Sequence, residues 1–252
     1  MGGRLDGKVA LVTGAAGAIG SATARRMVAE GAAVVLVDRD ADGVARLAAE
    51  LGERTRAQPT DVTSEAEVAG AVEAAVVAFG RLDVLHNNAV TSRADDTDAV
   101  ATPDDAWRAT FDVVVMAAVW GMRHAIPVMQ RGGGGSIVNT SSGAARVPTG
   151  SRIAYASTKS ALETLSAYTA SIHGVDGIRS NVVAPGFVLT PGTRALMAPE
   201  QVEGIAAGSA AGRLATPDDI AAVVCFLASD EAAYVSGQVV PVNGGGIRGM
   251  RW

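Results

Sequence analysis

Short runs of β-branched and apolar residues alternate along the chain with longer stretches in which apolar residues recur every three or four positions. The short runs predict β-strands, and the longer stretches predict amphipathic helices. Strands that alternate with helices indicate crossover connections, and therefore an α/β fold with a doubly wound parallel sheet and helices on both faces. The predicted strands are residues 9–13, 33–38, 55–60, 84–87, 136–141, 179–184 and 238–242. The predicted helices are residues 19–30, 41–51, 65–79, 104–131, 151–173 and 217–228.

The composition indicates a single large domain. The chain has 252 residues and no Pro- or Ser-rich linker, so residues 1–252 are predicted to fold around one core. Hydrophobic residues make up 48%, aromatic residues only 4%, and there are 30 glycines, which favours helices packed closely on a sheet over an all-β sandwich. The apolar run 113–122 is too short to span a bilayer and predicts a helix buried on more than one side.

Charge and cysteine content narrow the possible partners. The net charge of −5, without a dense Lys/Arg run, argues against a nucleic-acid partner and against an anionic membrane.

The N-terminal segment has no apolar signal core, and the single cysteine, Cys225, lies in an apolar helical pattern typical of a buried thiol. Both observations predict a cytoplasmic protein. His86, His124 and His173 have no carboxylate at metal-ligand spacing, so no metal site is predicted.

A glycine-rich segment, residues 13–20, joins the first predicted strand to the first helix. Glycines there let backbone amides at a helix N-terminus approach a pyrophosphate. Asp38 ends the second strand, where a carboxylate can accept both ribose hydroxyls of an adenosine and repel a 2′-phosphate. NAD is therefore favoured over NADP, although Arg39 follows directly. The absence of G-K-[ST] excludes a P-loop, and a nucleoside-methionine methyltransferase would have no use for Tyr155 and Lys159.

Two further strand ends carry polar residues. Asp61 and Val62 follow the third strand, where they are placed either to contact the adenine edge or to begin the next helix with Asp61 as its N-cap. Asn88 and Ala89 follow the fourth strand at the switch point of the sheet, where ligands gather in open α/β folds; the alternative is an Asn-rich turn.

Tyr155 and Lys159 are four residues apart on a predicted helix and therefore share a face. A nearby ammonium favours the phenolate, so Lys159 is expected to lower the pKa of Tyr155 and make it a proton carrier. Ser142 lies at the end of the preceding strand, where its hydroxyl and the phenol can share one substrate oxygen. A surface Tyr and Lys on an amphipathic helix is the alternative for this spacing alone.

Taken together, these motifs resemble the short-chain dehydrogenase/reductase family over nearly the whole chain. The matching segments are residues 5–14, 38, 61, 87–89, 136–142, 155–159, 181–186 and 236–245. The resemblance implies a Rossmann-type fold, with Tyr155 as general acid/base, Lys159 on the nicotinamide ribose and Ser142 orienting the substrate oxygen. The cofactor-binding positions predicted from residues and resemblance together are Gly14, Gly17, Ala18, Ile19, Gly20, Asp38, Arg39, Asp61, Val62, Asn88, Ala89, Tyr155, Lys159, Pro185, Gly186, Val188 and Thr190.

The chain departs from the family pattern at three positions. Ala18 stands where the family has the middle glycine of the turn, and Val90 ends a motif that the family closes with glycine. Val114 falls on the family's fourth catalytic residue, an asparagine, and Asp112 would point elsewhere on a helix. The water-linked proton relay of the family is therefore not expected in its usual form.

These features predict an NAD(H)-dependent oxidoreductase that interconverts a secondary alcohol and a ketone. Residues 190–212 are rich in short apolar residues and glycine and predict a mobile lid over the substrate. An alicyclic, aromatic-diol or steroid-like alcohol is expected to fit better than a sugar phosphate. The apolar pocket residues predicted are Val147, Pro148, Phe187, Leu189 and Met197.

Charged residues flank this predicted pocket. Any of Arg146, Arg152 and Arg194 is placed to bind a substrate carboxylate, with ordinary surface arginine as the alternative. The acidic loop that contains Asp95, Asp96 and Asp98 is expected to be solvated.

Two other functions stay open at this stage. One is a non-catalytic NAD(H)-binding sensor or scaffold on the same fold, which Val114 motivates. The other is a reductase of enoyl or acyl-carrier thioesters, which would need a basic patch at the mouth of the site. The apolar run 113–122 and the Ala-rich outer face of the Tyr155 helix predict a subunit interface, and the family resemblance implies a homotetramer.

Overall fold

The computed structural model describes residues 3–91, 93–148 and 150–245, except for the side chain of Leu196. In this part of the chain, seven strands form one sheet with the order β3-β2-β1-β4-β5-β6-β7, and every paired neighbour is parallel. The strands are β1 (Val9–Thr13), β2 (Ala33–Asp38), β3 (Thr55–Pro59), β4 (Val84–Asn87), β5 (Gly135–Thr140), β6 (Ile178–Pro185) and β7 (Val239–Val242). The predicted α/β class and parallel sheet are confirmed.

Helices cover both faces of the sheet, as predicted for a doubly wound fold. They are α1 (Ala18–Ala29), α2 (Ala41–Leu51), α3 (Glu65–Phe79), α4 (Asp104–Phe111), α5 (Ala117–Gly132), α6 (Ile153–His173), α7 (Pro191–Leu196), α8 (Pro199–Gly208) and α9 (Pro217–Ala228). On one face, Met27 of α1 and Ile220 of α9 are fully buried against the sheet. On the other face, Val72 of α3 and Met129 of α5 are buried in a second core layer.

The predicted long helix over 104–131 contains an irregular turn. Between α4 and α5, Asp112–Met116 forms a π-helical segment, which the spacing of apolar residues did not predict. The apolar run is buried on two sides, because Ala117 and Met122 face the sheet layer whereas Val115 and Ala118 pack toward Leu162 of α6. Gly133 ends α5 with a φ of 88°, a left-handed cap that glycine adopts readily.

The continuous helical stretch Asp104–Gly132 is also long and apolar enough to cross a membrane by length and composition alone. It packs instead against α3, α6, β4 and β5, which is the arrangement of a core helix in a globular domain. Length and hydropathy are therefore weak evidence for a membrane span here.

The parallel register places the carboxyl ends of all these strands at one edge of the sheet. The glycine-rich turn, Asp38, Asn88 and Ser142 each follow or end a strand at that edge. The fold thus collects residues that are far apart in the sequence along a single crevice.

Candidate active site

The glycine-rich turn is packed too closely for larger side chains. Gly14 has a φ of +67°, and a Cβ there would lie 3.0 Å from Cα of Ala89. A Cβ on Gly20 would overlap the carbonyl of Gly14. Gly17 is the N-cap of α1 and is exposed, so the first amides of α1 are open to a ligand. Ala18 begins the helix without disturbing this turn, so the departure from the family glycine leaves its backbone intact.

Asp38 lies against the same turn. Its Oδ2 accepts a hydrogen bond from the amide of Ala16 at 3.0 Å, and its Oδ1 accepts one from the amide of Asp40 at 3.1 Å. Arg39 is exposed. The Asp38 carboxylate therefore lies next to the glycine-rich turn. If a pyrophosphate were bound at the turn, the adjoining ribose would lie near this carboxylate. These residues fit a dinucleotide, because no side chain caps the first amides of α1 and Asp38 offers acceptors for ribose hydroxyls.

Asn88 joins two strand ends. Its side-chain Nδ2 donates to the carbonyl of Thr13 at 3.0 Å, and Thr13 Oγ1 accepts from the amides of Asn88 and Ala89 at 2.9 and 3.1 Å. The Asn88 side chain thus holds β4 to β1 beneath the glycine turn. These hydrogen bonds help to fix the shape of that turn.

Asp61 does not cap a helix. Ser64 is the N-cap of α3, and its side chain accepts from the amide of Glu67. Asp61 accepts hydrogen bonds from the amide and hydroxyl of Thr63 at 2.9 and 2.7 Å, and these bonds, with a smaller effect of the Arg39 charge, lower its pKa. Of the two interpretations of Asp61, the N-cap is therefore excluded. Val62 is buried in the core layer that faces α3.

The three predicted catalytic residues come together beside one cavity. Ser142 and Tyr155 both line a cavity of about 820 Å³, and Lys159 lies one turn behind Tyr155, with its Nζ 5.7 Å from the centroid of the Tyr155 ring. Ser142 follows β5, and its Oγ accepts from the amide of Ala144 at 3.2 Å. The hydroxyl of Ser142 and the phenol of Tyr155 can therefore meet a single ligand in this cavity.

Lys159 is almost completely buried. Only 2% of the residue is exposed, and its Nζ donates to the carbonyl of Thr140 at 2.6 Å. Burial lowers the pKa of this ammonium to about 7, and the positive charge of Arg152 contributes to the same shift. A lysine with this pKa is partly neutral near pH 7, so it can accept a proton as well as release one.

His86 lies next to this lysine and is neutral. It is fully buried, and its Nε2 is 2.9 Å from Oγ1 of Thr140. Burial, followed by the charge of Lys159, lowers its pKa to about 3. The two basic groups thus do not compete for a proton at neutral pH.

The acidic loop before α4 is not simply solvated, and the expectation for Asp96 was wrong. Asp96 is only 4% exposed, and its two carboxylate oxygens accept the amides of Ala154 and Tyr155, each at 2.9 Å. The carbonyl of Asp96 accepts from the amide of Arg152 at 3.1 Å. Asp96 therefore caps the first turn of the helix that carries Tyr155, whose own N-cap residue supplies no side-chain cap. Of its neighbours, Asp95 binds Arg93, and Asp98 caps its own loop.

Comparison with known proteins gives the family. Residues 14–246 match a family model described as enoyl-(acyl carrier protein) reductase. The chain is 38% identical to a cis-4-hydroxycyclohexanecarboxylate dehydrogenase of Sinomonas cyclohexanicum, over 94% of this chain and 96% of the relative. It is 40% identical to a 3-alpha-(or 20-beta)-hydroxysteroid dehydrogenase of Mycobacterium tuberculosis, over 99% of this chain and 93% of that relative. The chain belongs to the short-chain dehydrogenase/reductase family.

Solved structures agree with this assignment. A 7α-hydroxysteroid dehydrogenase, solved in complex with NADH and 7-oxo glycochenodeoxycholic acid, superposes with a TM-score of 0.91 at 32% sequence identity. The match covers 98% of this chain and 97% of that structure. The Rossmann-type fold that the resemblance implied is thus the fold of this short-chain dehydrogenase/reductase.

One short-chain dehydrogenase/reductase position is apolar here. Val114 is 3% exposed and packs with Val115, Ala118 and Leu162, whereas Asp112 is exposed and points away, as expected. Val114 lies in the π-helical segment and borders a void of about 10 Å³, which Thr13 and Asn87 also line. This is about the smallest space that holds one water. The side chain at the family's asparagine position therefore offers no polar group to a proton relay.

The cavity wall is partly different from the predicted one. Val147, Pro185, Gly186, Phe187 and Val188 line it, but Pro148, Leu189, Met197 and Thr190 do not. Thr190 instead caps α7, because its Oγ1 accepts from the amide of Thr193 at 3.1 Å. Three further lining residues, Ile205, Ser209 and Ala211, lie within residues 190–212, the segment predicted to cover the substrate. Lining residues outside the predicted pocket and lid include Arg213, Asp219, Asn243 and Gly244.

Proposed function

We propose that this protein is an NAD(H)-dependent oxidoreductase that interconverts a secondary alcohol and a ketone. The observation that supports this most directly is that Ser142 and Tyr155 face one cavity while Lys159 is buried behind Tyr155. A hydroxyl and a phenol on one wall can both bind the oxygen of a carbinol, and a phenol backed by a lysine can exchange its proton.

The dinucleotide is proposed to bind along the crevice at the carboxyl edge of the sheet. The amides at the start of α1, from Gly17 to Gly20, would hold the pyrophosphate, and Asp38 would accept the adenosine ribose hydroxyls. Pro185, Gly186 and Val188 line the cavity on the side where β6 ends, in agreement with a nicotinamide pocket. Bound NAD supplies a hydride acceptor, and bound NADH a hydride donor.

The residues of the chain handle the proton that accompanies the hydride. In the oxidation direction, the carbinol C–H bond breaks with its electron pair while Ser142 holds the oxygen. The carbinol O–H proton passes to Tyr155 as Tyr155 gives its own phenolic proton to the neutral amine of Lys159, whose Nζ also donates a hydrogen bond to the Thr140 carbonyl. Lys159 then releases that proton to water. The balanced reaction is alcohol plus NAD⁺ to ketone, NADH and one proton.

A panel of secondary alcohols with NAD, followed by absorbance at 340 nm, tests this proposal. Alicyclic and steroid alcohols belong in the panel because the cavity of about 820 Å³ has a largely apolar wall. Alcohol-dependent formation of NADH is the expected result. If NAD binds in calorimetry but no alcohol or ketone is converted, the protein is a dinucleotide-binding sensor, the alternative that Val114 motivates.

The thioester alternative is supported by one observation, the description of the matching family model. A reductase of this kind needs a basic patch that binds the acidic acyl carrier. The described cavity wall contains two arginines, Arg152 and Arg213, and Arg213 is already paired with Asp219, so the wall does not form such a patch. NADH oxidation with crotonyl-coenzyme A, measured beside a ketone panel, distinguishes the two. Faster oxidation with the thioester would replace the alcohol proposal.

A cytoplasmic homotetramer is proposed for the assembled protein. Large apolar side chains stay exposed on the α4 and α6 surfaces, with 43% of Phe111, 67% of Tyr168 and 60% of Ile172 accessible. Tyr168 and Ile172 lie one turn apart on the same face of α6, and exposed apolar faces of this kind are typical of subunit interfaces. Sedimentation velocity should give the mass of four chains; a monomer would contradict the proposal.

A further inference from the structure

Three arginines were candidates for binding a substrate carboxylate, and the structure separates them. Arg146 is exposed, and its Nε donates to Oε2 of Glu163 at 3.1 Å, away from the cavity wall. Arg194 is exposed on α7 and does not line the cavity either. Of the three, only Arg152 belongs to the cavity wall.

A second arginine of that wall, Arg213, serves a structural role. Its two terminal nitrogens donate to the two oxygens of Asp219 at 2.6 and 2.8 Å, and one of them also donates to the carbonyl of Leu214. Asp219 in turn completes the capping box at the start of α9. Arg213 is thus neutralised by a bidentate partner within the wall.

Arg152 stands directly beside the reacting group. Its guanidinium carbon lies 4.2 Å from the centroid of the Tyr155 ring, at cation–π distance. The residue is half-buried, so its charge is partly removed from water. Its backbone has a φ of +69° and a ψ of 46°, and among the described residues no other non-glycine residue has a positive φ. Such a conformation is costly for arginine and is kept where surrounding structure fixes it, here through the hydrogen bond to the Asp96 carbonyl.

We propose that Arg152 binds a carboxylate of the substrate, so that the protein acts on secondary alcohols that carry an acid group. This inference rests on the proposed function, because it assigns the oxygen being oxidised to Ser142 and Tyr155. A guanidinium has five N–H donors in a planar fork, so it takes a carboxylate in addition to its contacts within the protein. The apolar wall formed by Val147, Phe187 and Ile205 suits a hydrocarbon skeleton between the two polar ends.

The test compares an acid with its neutral ester. The probes are cis-4-hydroxycyclohexanecarboxylate and its methyl ester. They have similar shapes, but only the acid carries a negative charge. Oxidation of each by NAD is followed as NADH absorbance at 340 nm. Wild type should prefer the acid in kcat/KM by about 10- to 100-fold, the range expected for charge-assisted hydrogen bonds. In Arg152→Gln the ratio should fall to within about twofold of one, mainly through a higher KM for the acid.

Two matched variants and a binding measurement complete the test. Arg213→Gln removes the other cavity arginine and should leave the acid-to-ester ratio unchanged, whereas Arg152→Lys should keep part of the preference because it keeps the charge. Calorimetric binding of 4-oxocyclohexanecarboxylate and its methyl ester to the protein with NAD⁺, which has no hydride to give to a ketone, reports the same preference without turnover.

The outcomes distinguish this inference from the proposed function. If wild type oxidises the ester as well as the acid, or if Arg152→Gln keeps the preference, the carboxylate assignment is wrong while the alcohol oxidation stands. If neither probe is oxidised but the keto acid binds more tightly than its ester only when Arg152 is present, the carboxylate site at Arg152 stands and the proposed oxidation is wrong for these alcohols. Equal binding of both keto compounds in all variants overturns the inference.

Discussion

The dinucleotide end and the substrate end of the crevice are built differently. At the dinucleotide end, the glycine turn, Asp38, Thr13 and Asn88 are joined by hydrogen bonds to one another's main chains. At the substrate end, the wall includes residues from the segment of α7 and α8, and α8 has no buried residue. A site formed by internal hydrogen bonds exists before its ligand arrives, whereas short exposed helices can adjust to the ligand they cover.

The largest effect on turnover is expected from substitution of Tyr155, which lies where the two ends of the crevice meet. Tyr155→Phe removes the proton carrier and leaves the glycine turn untouched, so turnover should fall by at least ~10²-fold with NAD affinity nearly unchanged. Tyr168→Phe is the matched control, because Tyr168 lies on the same helix but is 67% exposed. Steady-state kinetics and NAD calorimetry check both variants. More than a tenth of wild-type activity in Tyr155→Phe would exclude the assigned role.

A second variant tests whether the preformed end sets cofactor choice. Wild type should use NAD with ~10²-fold higher catalytic efficiency than NADP, because the Asp38 carboxylate repels a 2′-phosphate. In Asp38→Ser, NAD should weaken and NADP should improve, with Arg39 adjacent to bind the phosphate. Asp42→Asn, an exposed acid on α2, is the control. An unchanged preference in Asp38→Ser would show that this carboxylate does not face the ribose.

The burial of Lys159 can be tested through the pH dependence of the free energy of unfolding. Its pKa is lowered from 10.5 in the unfolded chain to about 7 in the folded protein. Between these values the unfolded state binds more protons, so the free energy of unfolding attributable to Lys159 rises with pH from about 7 to 10.5. Relative to Lys159→Met, wild type without cofactor should therefore gain stability over this range in chemical denaturation. If the difference in unfolding free energy between the two proteins did not change with pH, Lys159 would not be desolvated. The variant Lys8→Met, at a partly exposed lysine, is the control for effects of alkaline pH on other groups.

The smallest effect is expected at Val114. Val114→Asn places an amide beside the small void that Thr13 and Asn87 also line, so it adds a polar group at the family's asparagine position. Turnover at pH 7 should stay equal or rise by a few-fold, and the pH profile of kcat should extend to lower pH. A large loss of activity in Val114→Asn, matched by an equal loss in Val114→Ala, would instead identify Val114 as a packing residue.

The sequence predicted the dinucleotide end better than the substrate end, for a physical reason. Strand and helix limits around the glycine turn differ from the predicted ones by at most one residue, since alternating apolar runs and glycines encode them locally. The π-helical turn at Asp112–Met116 was not predicted, because the apolar run does not distinguish hydrogen bonds to the fourth residue from bonds to the fifth. The helices α7 and α8, within the segment predicted to be a lid, were missed because Ala and Gly carry little periodic signal.

The roles of charged residues depended on tertiary contacts. Asp96 had the sequence surroundings of a solvated acid, and only its hydrogen bonds to residues 58 and 59 positions away show that it caps α6. Likewise, nothing in the local sequence distinguishes Arg152 from Arg146 or Arg194. The structure distinguishes them, because Arg152 lines the cavity and the other two do not. The assignments of Ser142, Tyr155, Lys159 and the cofactor contacts stay predictions until the kinetics are measured.

The Asp96 cap also has a consequence for how the protein is assembled during synthesis. The strands β3, β2, β1 and β4 are adjacent in the sheet and all lie within the first 87 residues, so this half of the sheet can pair before the rest has emerged. Asp96 follows it and is synthesised before α6, the helix whose first amides it accepts. The cap of the Tyr155 helix is therefore made before the helix itself, whereas the cavity that Tyr155 lines is complete only after Asn243 and Gly244 have been synthesised.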